Sequence, residues 1–343
     1  MGGIDRIMDE VRKIARQTSP EHVSISFGAT RGQGSILLSP FYLALFLARI
    51  TLLKISSKID VLHVNLSSHG STRRKIIVTR WARLLGIPYI IHLHGSRFRQ
   101  FWNESPPGIA SAITRMFASA SRIVVLGNIW KSFVAEKVPA ADDRIVIIPN
   151  ATPTPRLSHV EDEAGCLRIL FLGRVGARKG VPQLVEALSM LPKGGNWRAT
   201  IAGDGDVDET RQEIERLGLT DRVALPGWVG PDEVAELLSR SDVLVLPSFD
   251  ENLPMSVIEG MAAGLAIIAT PVGAVEDVII DRETGLLVPA GDSKAIAESI
   301  EFLLHQPQAR RALGREARRL HSERLEIGTY FSEFIDLWTS KKQ

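Results

Sequence analysis

Apolar and polar positions along the chain trace one pattern twice. Short β-rich runs at 23–27 (VSISF), 60–65 (DVLHVN), 88–93 (PYIIHL), 122–126 (RIVVL) and 145–148 (IVII) alternate with segments of helical spacing at 4–17, 40–55, 72–86, 106–119 and 128–138. The pattern then restarts. Strands are expected at 167–172, 197–202, 222–225, 243–246, 266–269 and 286–288, with helices at 180–190, 207–217, 231–239, 254–263, 274–280 and 293–305. Short β-rich runs alternating with helices in this way predict a parallel sheet covered by helices on both faces. Between the two halves lies PNATPTPRLSHVEDEAG, from Pro149 to Gly165, which reads as a linker. The expected fold is therefore α/β: two doubly wound Rossmann-like domains facing each other across a cleft, with ligands at the C-terminal ends of the strands.

The expected divisions are an N-terminal domain over 1–155, a C-terminal domain over 156–320, and a helix over 321–343 that crosses back to the first domain. One feature of the start is unusual. Gly2-Gly3 reads as the loop that follows a first strand, yet only Met1 precedes it. We expect the first domain to lack its first strand here, and a short apolar strand to lie upstream of Met1 in the natural protein, since an open sheet edge is normally covered.

Composition narrows the function classes. With 45% hydrophobic and 23% charged residues, neither a disordered chain nor a polytopic membrane protein fits. The single cysteine, Cys166, excludes an intramolecular disulfide, a CxxC pair and a multi-cysteine zinc site, and suits a reducing compartment. The longest uncharged apolar stretch, 33–48, is 16 residues, short of the ~20 needed to span a bilayer. Charge is divided unevenly. Residues 1–160 carry 21 Lys+Arg against 9 Asp+Glu, a net +12, and residues 161–343 carry 20 against 30, a net −10. The basic half includes STRRKIIVTRWARLLG at 71–86, which is either a sheet-facing helix or, with 40–55, a membrane-surface patch. An anionic membrane surface is the expected partner, and the expected location is cytoplasmic, peripheral at the inner face of the membrane. Nucleic acid is not an expected partner, because aromatics are few and no recognition module is present.

GxGxxG, Walker A, HExxH and GxSxG are all absent. The chemistry concentrates in two strings. In PSFDENLPMSVIEGMAAG (247–264), Glu251 sits on the loop after a strand, and Asn252-Leu253-Pro254 leads into a helix with Pro254 at its first position. Glu259 lies about a turn and a half into that helix. Free N–H groups at such a helix start suit a diphosphate, and the two carboxylates can accept hydrogen bonds from sugar hydroxyls. The plain alternative for Glu259 alone is an acid favoured by the helix dipole. In GRVGARKG (173–180), a glycine-bearing loop at a strand's C-terminal end carries Arg174, Arg178 and Lys179, cations suited to phosphate oxygens. HLHGS at 92–96 places His92 and His94 on one face of a strand. His94 is the functional candidate, and a zinc pair is rejected for want of a third ligand. No acidic cluster stands out as a metal site; Asp204 and Asp206 read as loop residues.

These strings, with AGDGD at 202–206, PGW at 226–228, TPVGAVEDVI at 270–279 and TGLLVPAGD at 284–292, resemble the nucleotide-binding domain of the family 4 retaining glycosyltransferases of GT-B fold. DVLHVN, HLHGS and IPNAT (148–152) resemble, more loosely, the first domain of bacterial polysaccharide and lipopolysaccharide transferases. The resemblance implies that Arg174 and Lys179, beside Gly173, hold the donor diphosphate and stabilise its leaving charge. It further implies that Glu259 binds the donor ribose, that Glu251 and the backbone of Asn252, Leu253 and Pro254 contact the transferred sugar and phosphates, that His94 lies near the transferred sugar, and that Gly2 and Gly3 close on the phosphates. Asn-Leu-Pro stands where many members have a glycine-aromatic-glycine turn, which bears on donor choice.

The expected activity is thus a retaining, metal-independent, hexosyltransferase-like reaction without a cofactor. It would move a sugar from a nucleotide-diphosphate donor to a glycan or polyprenyl-linked acceptor in cell-surface polysaccharide synthesis. The alternatives are a GT-B nucleotide-sugar epimerase, which would turn over sugar nucleotide without acceptor, and an inactive sugar-nucleotide-binding protein.

Overall fold

The structure, a computed structural model, describes residues 3–18, 23–32, 38–155 and 165–340. They group into two compact units. One is built on residues 11–149 with the chain from Phe331 onward, the other on residues 150–330 with Gly3–Glu10.

The chain opens with α1 (Gly3–Thr18), whose residues to Glu10 group with the C-terminal unit, and the N-terminal unit continues through α2 (Ser39–Ile55), β1 (Leu62–Leu66), α3 (Gly70–Leu84), β2 (Tyr89–Leu93), α4 (Phe98–Asn103), α5 (Pro107–Ala118), β3 (Arg122–Val125), α6 (Asn128–Lys137) and β4 (Ile145–Ile147). All four strands are parallel and lie in chain order. Strand β2 is buried along its whole length, as expected of a central parallel strand. Gly3 was expected in a loop but opens α1, and Gly2 lies outside the described residues. The expected strand at 23–27 is a second correction. Its residues alternate between half-buried and exposed, as a strand's would, yet they join no ladder. Instead, the Arg49 guanidinium donates to Phe27 O at 3.1 Å and to Ser26 Oγ. The period is that of a strand; the partner is a side chain.

The C-terminal unit runs β5 (Leu167–Leu172), α7 (Val181–Met190), β6 (Trp197–Ala202), α8 (Val207–Arg216), β7 (Val223–Gly227), α9 (Pro231–Ser239), β8 (Val243–Leu246), α10 (Met255–Ala263), β9 (Ala266–Ala269), β10 (Leu286–Leu287), α11 (Ser293–His305) and α12 (Pro307–Leu320). The last helix, α13 (Ile327–Thr339), leaves this unit, and from Phe331 it belongs to the other one. The six strands are parallel in the order β10-β9-β8-β5-β6-β7. Strand order therefore reverses between β5 and β8, and the C-terminal ends of those two neighbours carry GRVGARKG and PSFDENLP. A crevice at such a switch point is where open parallel sheets bind ligands.

The expected helix at 274–280 is only a 3-10 turn, Val275–Asp277. Ala274 N donates to Asn252 O at 2.7 Å, so the chain is drawn onto the 251–252 backbone rather than winding on. Gly273 makes that approach possible: its φ is +63°, and a Cβ there would lie 2.2 Å from Glu251 O.

Candidate active site

Helix α10 positions half of the site. Pro254, expected at the first helical position, instead precedes it as the extended residue before Met255, with φ −72° and ψ 131°, and Gly264, at φ +78°, ends the helix. Every residue of α10 is buried, so the helix is a core element and Glu259 is a buried carboxylate. Burial pushes its pKa from 4.5 to about 7; Arg6 pulls the other way and Glu10 adds to the rise. Glu259 is the fifth residue of the helix, past the first turn in which the helix dipole acts. Arg6 Nη2 lies 2.6 Å from its Oε1 and Nη1 3.4 Å from its Oε2.

The loop after β5 supplies the other half. It is zipped to the loop after β6: Val175 N donates to Asp204 O at 2.7 Å, and Asp206 N donates to Val175 O at 3.0 Å. Gly203 permits this contact, since a Cβ there would sit 1.7 Å from Gly173 O. The same loop is tied to the one after β8. Phe249 N donates to Arg178 O at 2.9 Å, and the Arg178 guanidinium donates to Asp250 O at 2.7 Å.

Lys179 and Glu251 meet at the junction, Nζ to Oε1 at 2.5 Å, with side chains 12% and 10% exposed. The Lys179 stem passes over Gly173, where a Cβ would lie 3.5 Å from Cε. Arg174 is exposed, its stem beside Gly205. The two strings, 70 residues apart in sequence, are thus one cluster of cations, a carboxylate and a helix start. Such a cluster can take a phosphate group on Lys179 and the N–H groups of α10 while Glu251 and Glu259 accept from hydroxyls; Arg174 stands on the same loop, exposed.

Asn150, from IPNAT, was not singled out from the sequence. It is buried, and its Nδ2 donates to Leu253 O at 2.9 Å, pinning the Asn252-Leu253-Pro254 turn. The string itself was the available signal. Arg6 left no comparable trace, because nothing in a sequence connects residue 6 to residue 259.

In the N-terminal unit, His94 follows β2. Its N–H donates to Leu66 O at 2.8 Å, and its Nε2 lies 2.9 Å from Asn65 Oδ1. Because the amide oxygen only accepts, Nε2 carries the proton and Nδ1 is left as an acceptor. Gly95 lets the loops after β1 and β2 touch: a Cβ there would lie 3.0 Å from Ser68 N. Behind His94, Trp338 Nε1 donates to His63 Nδ1 at 3.0 Å, and His63 Nε2 donates in turn to His92 Nδ1 at 3.2 Å. The Phe334 ring packs on both of these imidazoles. His92, expected to be structural, is fully buried.

Burial lowers His63 from 6.5 to about 4 and His94 to about 3, and holds His92 well below its usual value. The unfolded chain therefore takes up these protons before the folded one does. Stability from this cluster is complete above pH 6.5 and declines as pH falls toward about 3. We expect the urea midpoint, followed by tryptophan fluorescence, to drop through that window, and the drop to shrink in His63→Phe. A midpoint that stays flat in the unmodified protein would contradict this.

A profile described as "Glycosyl transferases group 1" matches residues 163–320, and one described as "Glycosyl transferase 4-like domain" matches residues 15–151. The alpha-D-kanosaminyltransferase of Streptomyces kanamyceticus is 25% identical over 72% of this chain and 69% of its own. The phosphatidyl-myo-inositol mannosyltransferase of Mycobacterium leprae (strain TN) is 32% identical over 57% of this chain and 55% of its own. The match thus spans from 55% to 69% of the length of these two relatives. Anabaena Alr3699/HepE, solved in complex with UDP and glucose, shares the fold with a TM-score of 0.77 over 99% of this chain and 96% of that one, at 16% identity. With one glycosyltransferase profile on each half and this shared fold, the chain belongs to the family 4 glycosyltransferases of GT-B fold.

Proposed function

We propose that this protein transfers a sugar, with retention of anomeric configuration, from a nucleoside diphosphate donor to a glycan or polyprenyl-linked acceptor of cell-surface polysaccharide synthesis. The observation that carries the reading is the Lys179–Glu251 junction beside the start of α10, at the point where strand order reverses. Glycosyl transfer builds negative charge on the departing diphosphate. Lys179, Arg174 and the α10 N–H groups are fixed donors where that charge would develop, and they stabilise it without reorganising. This is the physical basis for proposing a metal-independent reaction. Glu259 is proposed to take the ribose, and Glu251 with Asn252, Leu253 and Pro254 the sugar and phosphates. Gly173 would let backbone approach the phosphates. His94 is proposed to contact the transferred sugar; as a neutral imidazole it would act as a hydrogen-bonding group rather than as a charge. The UDP and glucose held by the Anabaena protein support a nucleotide-sugar donor, and the name of the M. leprae relative supports a lipid acceptor.

The test is a thermal-shift panel of UDP, GDP and ADP and their sugars, because a ligand of the native state raises its melting temperature. One nucleotide series should shift it. No shift with any would overturn the reading, and turnover of sugar nucleotide without acceptor would favour an epimerase.

Peripheral attachment to an anionic membrane is part of the proposal. On α2, Phe41, Leu45, Leu52 and Ile55 form an exposed stripe at helical spacing, with Leu52 67% and Ile55 75% exposed, and Leu38 just before the helix is exposed as well. On neighbouring α3, Ile77, Trp81 and Leu84 form a second, with Leu84 72% exposed. Trp81 Nε1 donates to Thr51 Oγ1 at 2.9 Å and links the two helices. Exposed Arg49, Lys58, Arg80 and Arg83 accompany these stripes. Apolar stripes with basic neighbours suit an anionic bilayer surface. No helix among the described residues is long and apolar enough to cross a membrane. Replacing Phe41 and Leu52 together by serine should weaken binding to anionic vesicles roughly tenfold, since ~1 kcal/mol or less is lost per partly buried side chain. Nucleotide affinity should be unchanged. Equal binding to neutral and anionic vesicles, or none to either, would contradict the proposal.

A further inference from the structure

Helix α1 lends the C-terminal unit a cation. Its residues Gly3–Glu10 group with 150–330, and Arg6 grips Glu259 with both Nη atoms, at 2.6 and 3.4 Å. The carboxylate is only 10% exposed, whereas the Arg6 side chain is 40% exposed, so the arginine reaches in from the surface to a buried acid. A carboxylate offers about four lone-pair sites on its two oxygens. Arg6 uses one on each oxygen, which leaves one on each for a second partner. Two acceptor oxygens held in a fixed plane match the two vicinal hydroxyls of a ribose.

We propose that Arg6 is a positioning residue for donor binding: it fixes both oxygens of Glu259, and favours their ionised form, as acceptors for the ribose diol of a nucleoside diphosphate. The proposal rests on the reading of Glu259 as the ribose-binding residue and deepens it. Burial raises the pKa of Glu259, Arg6 opposes the rise and Glu10 adds to it, and the balance with Arg6 in place stands at about 7. Without Arg6 the carboxyl keeps its proton through neutral pH, and an acceptor becomes a donor. Arg6 itself needs no contact with the nucleotide.

The experiment uses the full chain and titrates UDP, GDP and ADP calorimetrically, each beside its analogue lacking both ribose hydroxyls. The ratio of the two affinities reports the diol contact alone. The unmodified protein should prefer the ribonucleotide. Arg6→Gln should lose roughly tenfold of that preference at neutral pH, as expected when a charged acceptor becomes neutral, and should recover it in alkaline buffer as Glu259 ionises. Arg6→Lys should keep most of it. A purely structural role for Arg6 would lower both affinities alike, with no recovery at high pH. If Glu259→Gln abolishes the preference while Arg6→Gln retains it at neutral pH, this proposal falls and the Glu259 reading stands. If Glu259→Gln leaves the preference intact, the Glu259 reading falls and this proposal with it.

Discussion

Replacing Lys179 by alanine is expected to slow sugar transfer about ten- to a hundredfold, because a charge-assisted bond to the diphosphate is worth ~1.5–3 kcal/mol. The loss should appear in kcat as well as in nucleotide affinity, since the charge Lys179 meets grows as the donor bond breaks. The structure adds a condition. Lys179 is also the partner of nearly buried Glu251 at 2.5 Å, so its removal leaves that carboxylate with Arg178, whose Nη1 is 3.6 Å away. Melting temperature therefore has to be measured beside the rate, and Glu251→Gln should be combined with Lys179→Ala to separate the two effects. A Lys179→Ala protein with unaltered rate and unaltered nucleotide affinity would remove this residue from the site.

A second large effect is expected at Gly180. This residue joins the GRVGARKG loop to α7 with φ +71°, and a Cβ there would lie 2.0 Å from Pro247 O. Alanine would meet both the left-handed backbone and the carbonyl of the neighbouring loop, at a combined cost of about 3 kcal/mol, roughly a hundredfold in the folding equilibrium. Because the contact ties the Lys179 loop to the Glu251 loop, nucleotide affinity should fall together with the chemical-denaturation midpoint. A Gly180→Ala protein with both quantities unchanged would show that the two loops are not held by this packing.

Much of the C-terminal unit could be read from the chain alone, for a physical reason. Strands β8 and β9 are continuous apolar runs, β5 and β6 are apolar but for Arg168, Arg198 and Thr200, and α9 and α11 start at residues that cap or open helices, Pro231 and the Asp292 before Ser293. The bounds expected for these six elements are those observed. The failures have causes too. VSISF has a strand's alternation, but pairing is a property of two segments, and one period cannot reveal a missing neighbour. The helical spacing at 274–280 is overridden by Gly273 and by the pull of Asn252 O. Helix α4 covers six residues, too few for a 3.6-residue period to show. Helix α12 opens on Pro307 and is rich in Ala, Leu and Arg, so its sequence does carry a start signal.

The candidate site divides in the same way. Its two strings were legible as loop chemistry at strand ends, and the structure brings their Lys179 and Glu251 into contact. The resemblance, rather than spacing, supplied the roles assigned to them. What the sequence hid are the contacts between distant positions: Asn150 on Leu253 O, and Arg6 on Glu259 across 253 residues. Both act on the backbone or side chain of a residue already singled out, so they set the geometry of the site without carrying a motif of their own.

The central claim is that a nucleoside diphosphate binds where the loop after β5 meets the start of α10. Hydrogen–deuterium exchange of the full chain, with and without the nucleotide that raises its melting temperature, tests this most directly. The account expects slowed exchange concentrated in residues 173–180 and 251–259, and loss of that protection in Lys179→Ala. Protection that falls elsewhere and spares both segments would contradict it.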